Sequence, residues 1–224
     1  MLVHLCVAWQ PLSTPLAPAG PRHSRVVARE VTFTADLDVT SEPFTVGSKT
    51  VGDFFAQPEG LQVLMSQAES SRRLDTAGDG AVKQRWEVAT PIQFPGMVAR
   101  SETSMDVVVD TAASRLTVTS GESKTVCEGG PSWARALLSR IGEIAETSSW
   151  NEITVIDASN GEKCVKSVVN LTVKLTIPGL LLPPFIPVGP FEKSGSESIQ
   201  KLLDKDMAPT MAKFRDAYCS WSAS

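Results

Sequence analysis

The sequence predicts an α+β fold in which a curved antiparallel β-sheet wraps one long C-terminal α-helix. Three observations predict it. Apolar residues alternate with polar ones at period two in several separate segments, the pattern of strands with one buried and one wet face. These segments follow one another in series with turn signals between them, so they pair as antiparallel neighbours. The last apolar stretch, Ile199, Leu202, Leu203, Met207, Met211, Phe214, Tyr218 and Trp221, keeps i, i+3, i+4, i+7 spacing for about six turns.

The elements follow in order. Residues 1–29 hold no Asp or Glu, carry Arg22, Arg25 and Arg29, and are interrupted by Pro11, Pro15, Pro18 and Pro21. This flexible leader reads either as an organelle transit peptide or as a terminus with no address. The folded domain is expected over 30–224. Val31, Phe33, Ala35, Leu37 and Val39 alternate with Thr32, Thr34, Asp36, Asp38 and Thr40, which predicts a half-buried strand. Val51, Phe54, Phe55, Leu61, Leu64 and Met65 have helical spacing, but Pro58 and Gly60 divide them into two short helices. A strand over 69–75, a Gly78-Asp79-Gly80 turn and a strand through Val82, Gln84, Trp86 and Val88 come next. Met105, Val107 and Val109, then Leu116 and Val118, continue the alternation.

Between Gly130 and Ser148 the period turns helical through Trp133, Leu137, Leu138, Ile141 and Ile144, so a short helical insertion is expected over 133–145. Strand pattern resumes over 150–157, Asn160-Gly161 supplies a hairpin turn, and 165–177 forms the longest strand. Its inner face is Val165, Ser167, Val169, Leu171, Val173, Leu175 and Ile177. Prolines 178, 183, 184, 187 and 190 keep the next stretch irregular, and the helix is expected over 198–221, kinked or split by Pro209 near Asp206.

Composition narrows the function classes. The chain has 224 residues, 42% of them hydrophobic and 21% charged, with a net charge of -4 and a pI near 5.3, which describes one ordinary domain without the basic face that nucleic acid requires. No apolar run is long enough to span a bilayer. The only histidines, His4 and His23, precede the first strand, which removes Ser-His-Asp, Cys-His and His-metal chemistry from the domain. Cys6, Cys127, Cys164 and Cys219 lack paired spacing and read as buried free thiols; no metal or cofactor is expected. Asp106 and Asp110 fall on the face opposite Met105 and Val107, and Asp204 and Asp206 on the polar side of the helix, so no acid/base pair emerges.

Three further features stand in order along the chain: Pro91-Ile92-Gln93-Phe94-Pro95-Gly96, the proline-rich stretch from Pro178 with Gly195 beyond it, and the terminal Asp216, Tyr218 and Trp221. In these the chain is similar to a family of cyanobacterial and plastid proteins labelled as a domain of unknown function, and by its order of elements it more broadly resembles the START-like, or SRPBCC, helix-grip superfamily. The likeness covers roughly residues 31–221, and its force lies in the order of the motifs. It implies a plastid location and an apolar molecule held between sheet and helix.

Physical reasoning reaches the same site. A bent sheet crossed by one helix is not filled everywhere by side chains from two layers, and such apolar concavities take ligands. The expected lining is Trp86, Val88, Met105, Val107, Leu116, Val118, Val169, Leu171 and Val173 from strands, with Met207, Met211 and Phe214 from the helix. The alternative is a closed, dry core. Gln84 and Ser167 interrupt the apolar face at mid-strand, and each needs a partner in the protein, a water or a ligand. Tyr218 and Trp221 are read as packing residues.

Three functions compete at this stage. One is a non-catalytic carrier for a lipid, pigment or isoprenoid in a plastid. Another is a structural or assembly subunit of a plastid membrane complex, docking through the apolar segment of Leu180, Leu181, Phe185 and Ile186. The third, an enzyme like the polyketide cyclases, rests on fold analogy and would depend on Tyr218, Gln84 or water.

Overall fold

A computed structural model describes residues 28–66, 68–74, 83–94, 97–129, 132, 145–177, 185 and 187–224. Seven strands form one curved sheet: β1 (Arg29–Thr40), β2 (Ser70–Arg73), β3 (Lys83–Phe94), β4 (Met97–Asp110), β5 (Arg115–Gly129), β6 (Ala145–Asp157) and β7 (Lys163–Ile177). Their order is β1-β7-β6-β5-β4-β3-β2, and every neighbouring pair is antiparallel. A register shift between Thr103 and Met105 bends β4 against β5. The Gly78–Gly80 turn and most of the expected 133–145 insertion lie outside the described residues.

Two short helices, α1 (Val51–Ala56) and α2 (Pro58–Leu64), follow β1 as predicted. Thr50 and Asp53 close a capping box at the start of α1, and Pro58 occupies the first turn of α2, where its missing N–H costs nothing. Asn160 and Gly161 turn β6 into β7 with φ of 59° and 77°, the left-handed conformation that this residue pair accommodates.

The C-terminal helix α3 (Val188–Ala223) begins ten residues before the expected Ser198. Pro190 falls in its first turn, where no intrahelical N–H bond is lost. Nor does Pro209 split the rod, which continues through it. Pro209 stands on the exposed side, so water can meet the carbonyl its ring leaves without a donor, and Thr210 Oγ1 donates to the Asp206 carbonyl beside it at 2.8 Å.

The N-terminal half of α3 runs alongside β1 and caps that edge. The Thr32, Thr34 and Asp36 main-chain N–H groups donate to Glu192 Oε1 (2.8 Å), Ser196 Oγ (3.0 Å) and Gln200 Oε1 (3.1 Å). The match is metric: four helical residues rise about 6 Å and two strand residues about 6.7 Å, so one helix face supplies an acceptor to every second strand residue. An edge that would otherwise invite another strand is closed from within. Gly195 lets the two elements meet this closely, because a Cβ there would stand 2.3 Å from two ring carbons of Phe33.

The C-terminal half of α3 crosses onto α1. Phe214 stacks on Phe55 at 5.3 Å and leans on Phe54 at 5.2 Å between ring centroids, and Tyr218 packs against Phe44 and Phe54. Tyr218 closes the helix onto the fold as read from sequence: it is fully buried, its hydroxyl donating to the Lys49 carbonyl (2.7 Å) and accepting from Gly47 N–H (3.3 Å). Trp221 is half-buried, packed on Phe54, with the Lys49 ammonium 4.8 Å above its ring.

Burial pushes the Tyr218 phenol up from its ordinary range, the Gly47 bond working in the other direction. Since the folded pKa exceeds the unfolded one, the unfolded chain loses this proton first. Stability from Tyr218 is therefore complete below about pH 10 and is lost as pH rises through the folded value. Tyr218 is the only tyrosine, so absorbance at 295 nm reports it alone. We predict a midpoint above that of the urea-unfolded chain; equal midpoints would show an exposed phenol.

Candidate functional site

A cavity of about 80 Å³ lies between α3, α2 and the concave face of the sheet. From α2 and the turn after it come Leu61, Leu64, Met65 and Ala68. The sheet contributes Val88 and Met105, Val118, the β6 row of Ser149, Asn151 and Ile153, and Val169 with Leu171. Across from them, α3 presents Leu203, Met207, Thr210 and Met211. Leu64, Met65, Ala68, Met105, Val118 and Ser149 are half-buried and mark the solvent side, whereas Leu61, Leu171, Met207 and Met211 are buried at the back. The four lining methionines are flexible and polarizable, suited to an irregular surface that reshapes around its contents.

The expected lining divides in two. Met105, Val118, Val169, Leu171, Met207 and Met211, together with Val88, do line the cavity. Gln84, Trp86, Val107, Leu116, Ser167 and Phe214 are buried outside it, as is Val173. The division has a simple cause. Alternation assigns a residue to the inner face, but α1 and the end of α3 cover one part of that face and fill it with Phe54, Phe55 and Phe214, while Val173 lies toward the other end of β7, paired with Phe33.

The two inward polar residues find partners within the protein. Gln84 Oε1 accepts from Trp86 Nε1 at 3.0 Å, and Ser167 Oγ donates to Asn151 Oδ1 at 2.8 Å. Asn151 is thus tied to a fully buried serine while facing the cavity.

Sequence reasoning missed the α2 residues and the polar β6 row. The helical spacing of Leu61, Leu64 and Met65 shows an apolar face, but not which layer that face covers. Ser149 and Asn151 continue the two-residue period of Ile153, and that continuity was the available signal.

The same polarity extends along the sheet. Register pairs Val88 with Thr103 and Thr90 with Ser101, so these side chains share the face of Trp86 and Met105. Ser123 Oγ is bonded to both Ser101 Oγ and Thr103 Oγ1 at 3.0 Å. Thr90 and Thr103 are buried. The inner face is therefore aliphatic under the helices and hydroxyl-bearing toward the far ends of β3, β4 and β5.

Carboxylates lie elsewhere. Asp106 is ion-paired with Arg85 on the outer face, and the Arg85 hydrogen bond holds its carboxyl below the usual range. Asp110 pairs with Arg115, and Asp204 accepts from Gln200. Among the described residues no group of three His, Cys, Asp or Glu could hold a metal ion, and no helix is long and apolar enough to cross a membrane. Cys164 is buried as expected, but Cys219 is exposed, a correction that follows from its place on the outer side of α3. Of the proposed docking segment, Phe185 is 82% exposed; Leu180, Leu181 and Ile186 lie outside the described residues.

No protein-family model and no curated protein matches the chain. Solved structures of similar fold include the Zhui aromatase/cyclase from a Streptomyces species, at 12% identity over 83% of this chain and 93% of that one, with a TM-score of 0.43. A START superfamily protein from Mycobacterium smegmatis is 11% identical over 80% of this chain and 96% of that one, with a TM-score of 0.44. A protein from Thermus thermophilus is 14% identical, covering 84% and 99%, also at 0.44. At these identities the likeness is one of fold. By the order of its own strands and the helix laid against their concave side, the domain is a curved antiparallel sheet gripping one long C-terminal helix.

Proposed function

We propose that the domain binds a small hydrophobic molecule between α3 and the sheet and holds or carries it without transforming it. The observation that carries this reading is the cavity itself, apolar over most of its wall and lined by Met65, Met105, Met207 and Met211. The wall is open on its Leu64, Met65 and Ser149 side, and a guest that covers it gains about 25 cal/mol for each Å² of apolar surface taken from water. None of the described lining residues titrates near neutral pH, so this wall offers hydrogen bonds and contact area but no general acid or base, which favours binding over cyclase-type chemistry.

The volume points to the compact end of the lipid, pigment or isoprenoid range. A cavity of roughly 150 Å³ takes benzene, so even a one-ring guest requires Met65, Met105, Met207 and Met211 to change rotamer or α2 to shift. For the compartment we propose the plastid, on the acid-free leader and the likeness of the Pro91–Gly96 motif.

Native mass spectrometry of the protein isolated from plastids of its source tests both parts. The expected spectrum shows the domain with one small organic molecule attached. Protein that arrives empty and stays empty after incubation with a total lipid extract would contradict the binding role, and its absence from the plastid fraction would contradict the compartment.

A further inference from the structure

Resting on the reading of the cavity as a guest site, we infer that the guest is uncharged and presents a carbonyl or ether oxygen to β6, where Asn151 and Ser149 recognise it. Two observations exclude the neighbouring classes. Among the described residues the lining contains no Asp, Glu, Lys, Arg or His, so a carboxylate, phosphate or ammonium group would enter without a counter-charge. A pure hydrocarbon fails for the opposite reason, because it would cover polar atoms that then have no partner.

Those polar atoms are specific. Ser167 is fully buried, and among the described residues its hydroxyl meets only Asn151. The serine proton needs an acceptor, which turns Asn151 Oδ1 toward Ser167 and leaves the two protons of Nδ2 for another partner. Two residues along β6, Ser149 lends its main-chain N–H to Ser120 Oγ at 2.7 Å, while its own hydroxyl makes no hydrogen bond among the described residues. No buried side-chain oxygen or nitrogen among the described residues lacks a partner, so these two groups are not sealed in protein. On the facing wall, Thr210 has spent its proton on the Asp206 carbonyl and offers only lone pairs. Donors therefore gather on the β6 side, and the complementary guest atom is an acceptor oxygen.

The test uses three probes of one size: acetophenone, its shape match isopropenylbenzene, in which C=CH₂ replaces C=O, and benzoate. Dissociation constants for the full chain come from methionine-methyl NMR titration at neutral pH. We expect acetophenone to bind about tenfold more tightly than isopropenylbenzene and benzoate not to bind. The double variant Asn151→Leu/Ser167→Ala, which leaves no buried hydroxyl orphaned, should abolish the preference while keeping the isopropenylbenzene affinity. Ser149→Ala, whose hydroxyl holds no internal bond, should reduce the preference about threefold and serves alone if the double variant does not fold. A preference unchanged in the variants that fold, or benzoate binding within about threefold of acetophenone, overturns the inference and leaves the guest site standing. If neither neutral probe binds the wild-type chain, the guest site itself falls.

Discussion

Phe214→Ala is expected to destabilise the protein by about 3–5 kcal/mol, seen as a lower denaturation midpoint at an unchanged slope. Phe214 has no exposed surface and packs on both Phe54 and Phe55. Its loss would remove the contact that fixes α1, a helix of six residues that cannot persist without tertiary support. Both aromatic residues of α1 would then face a void, and α1 comes from the opposite end of the chain, so the space cannot close by a local shift. A loss below about 1 kcal/mol would mean that α3 is not held on α1 as described.

Gly195→Ala carries the second large effect, about 1–3 kcal/mol of destabilisation from overpacking. The sign is the informative part. In a helix interior alanine is better than glycine by about 1 kcal/mol, so propensity alone predicts a gain. Here the added methyl would meet Phe33 at 2.3 Å, and Phe33 is buried in β1 with Phe191 edge-on at 5.5 Å. Either the ring or the helix must move, and moving the helix stretches the bonds from Thr32, Thr34 and Asp36. Gly189→Ala is the control, in the same helix with nothing within 4 Å of the new atom, and is expected to be neutral or mildly stabilising. Stabilisation by both substitutions would contradict the close approach of α3 to β1.

Much of this was legible in the sequence wherever one physical pattern acted alone. β1 and β7 alternate cleanly because an aliphatic core lies on one side and water on the other, and α3 keeps its stripe because Met207, Met211, Phe214 and Tyr218 all face inward. Pattern failed where the inner face changes chemistry. β4 and β5 reach far beyond the segments that alternation marked, since Ser101, Thr103, Ser120 and Ser123 replace aliphatic residues on their inner side. Hydropathy cannot separate an inward hydroxyl from an outward one.

The start of α3 was hidden for a different reason. Pro187 and Pro190 read as helix breakers, but Pro187 sits at the cap and Pro190 in the first turn, the places where a helix accepts proline. The cavity was half legible. Strand and helix periods pointed to Met105, Val118, Val169, Leu171, Met207 and Met211, whereas the part played by Leu61, Leu64 and Met65 depends on where a short helix docks. That position is a long-range fact which local spacing does not contain.

Xenon titration followed by methionine-methyl NMR tests the central claim most directly, because xenon enters dry apolar cavities irrespective of their natural contents. The account predicts saturable shifts at Met65, Met105, Met207 and Met211, which line the space beneath α3. Uniform, non-saturating shifts at all of them would show that the sheet and the helix close on each other without a cavity.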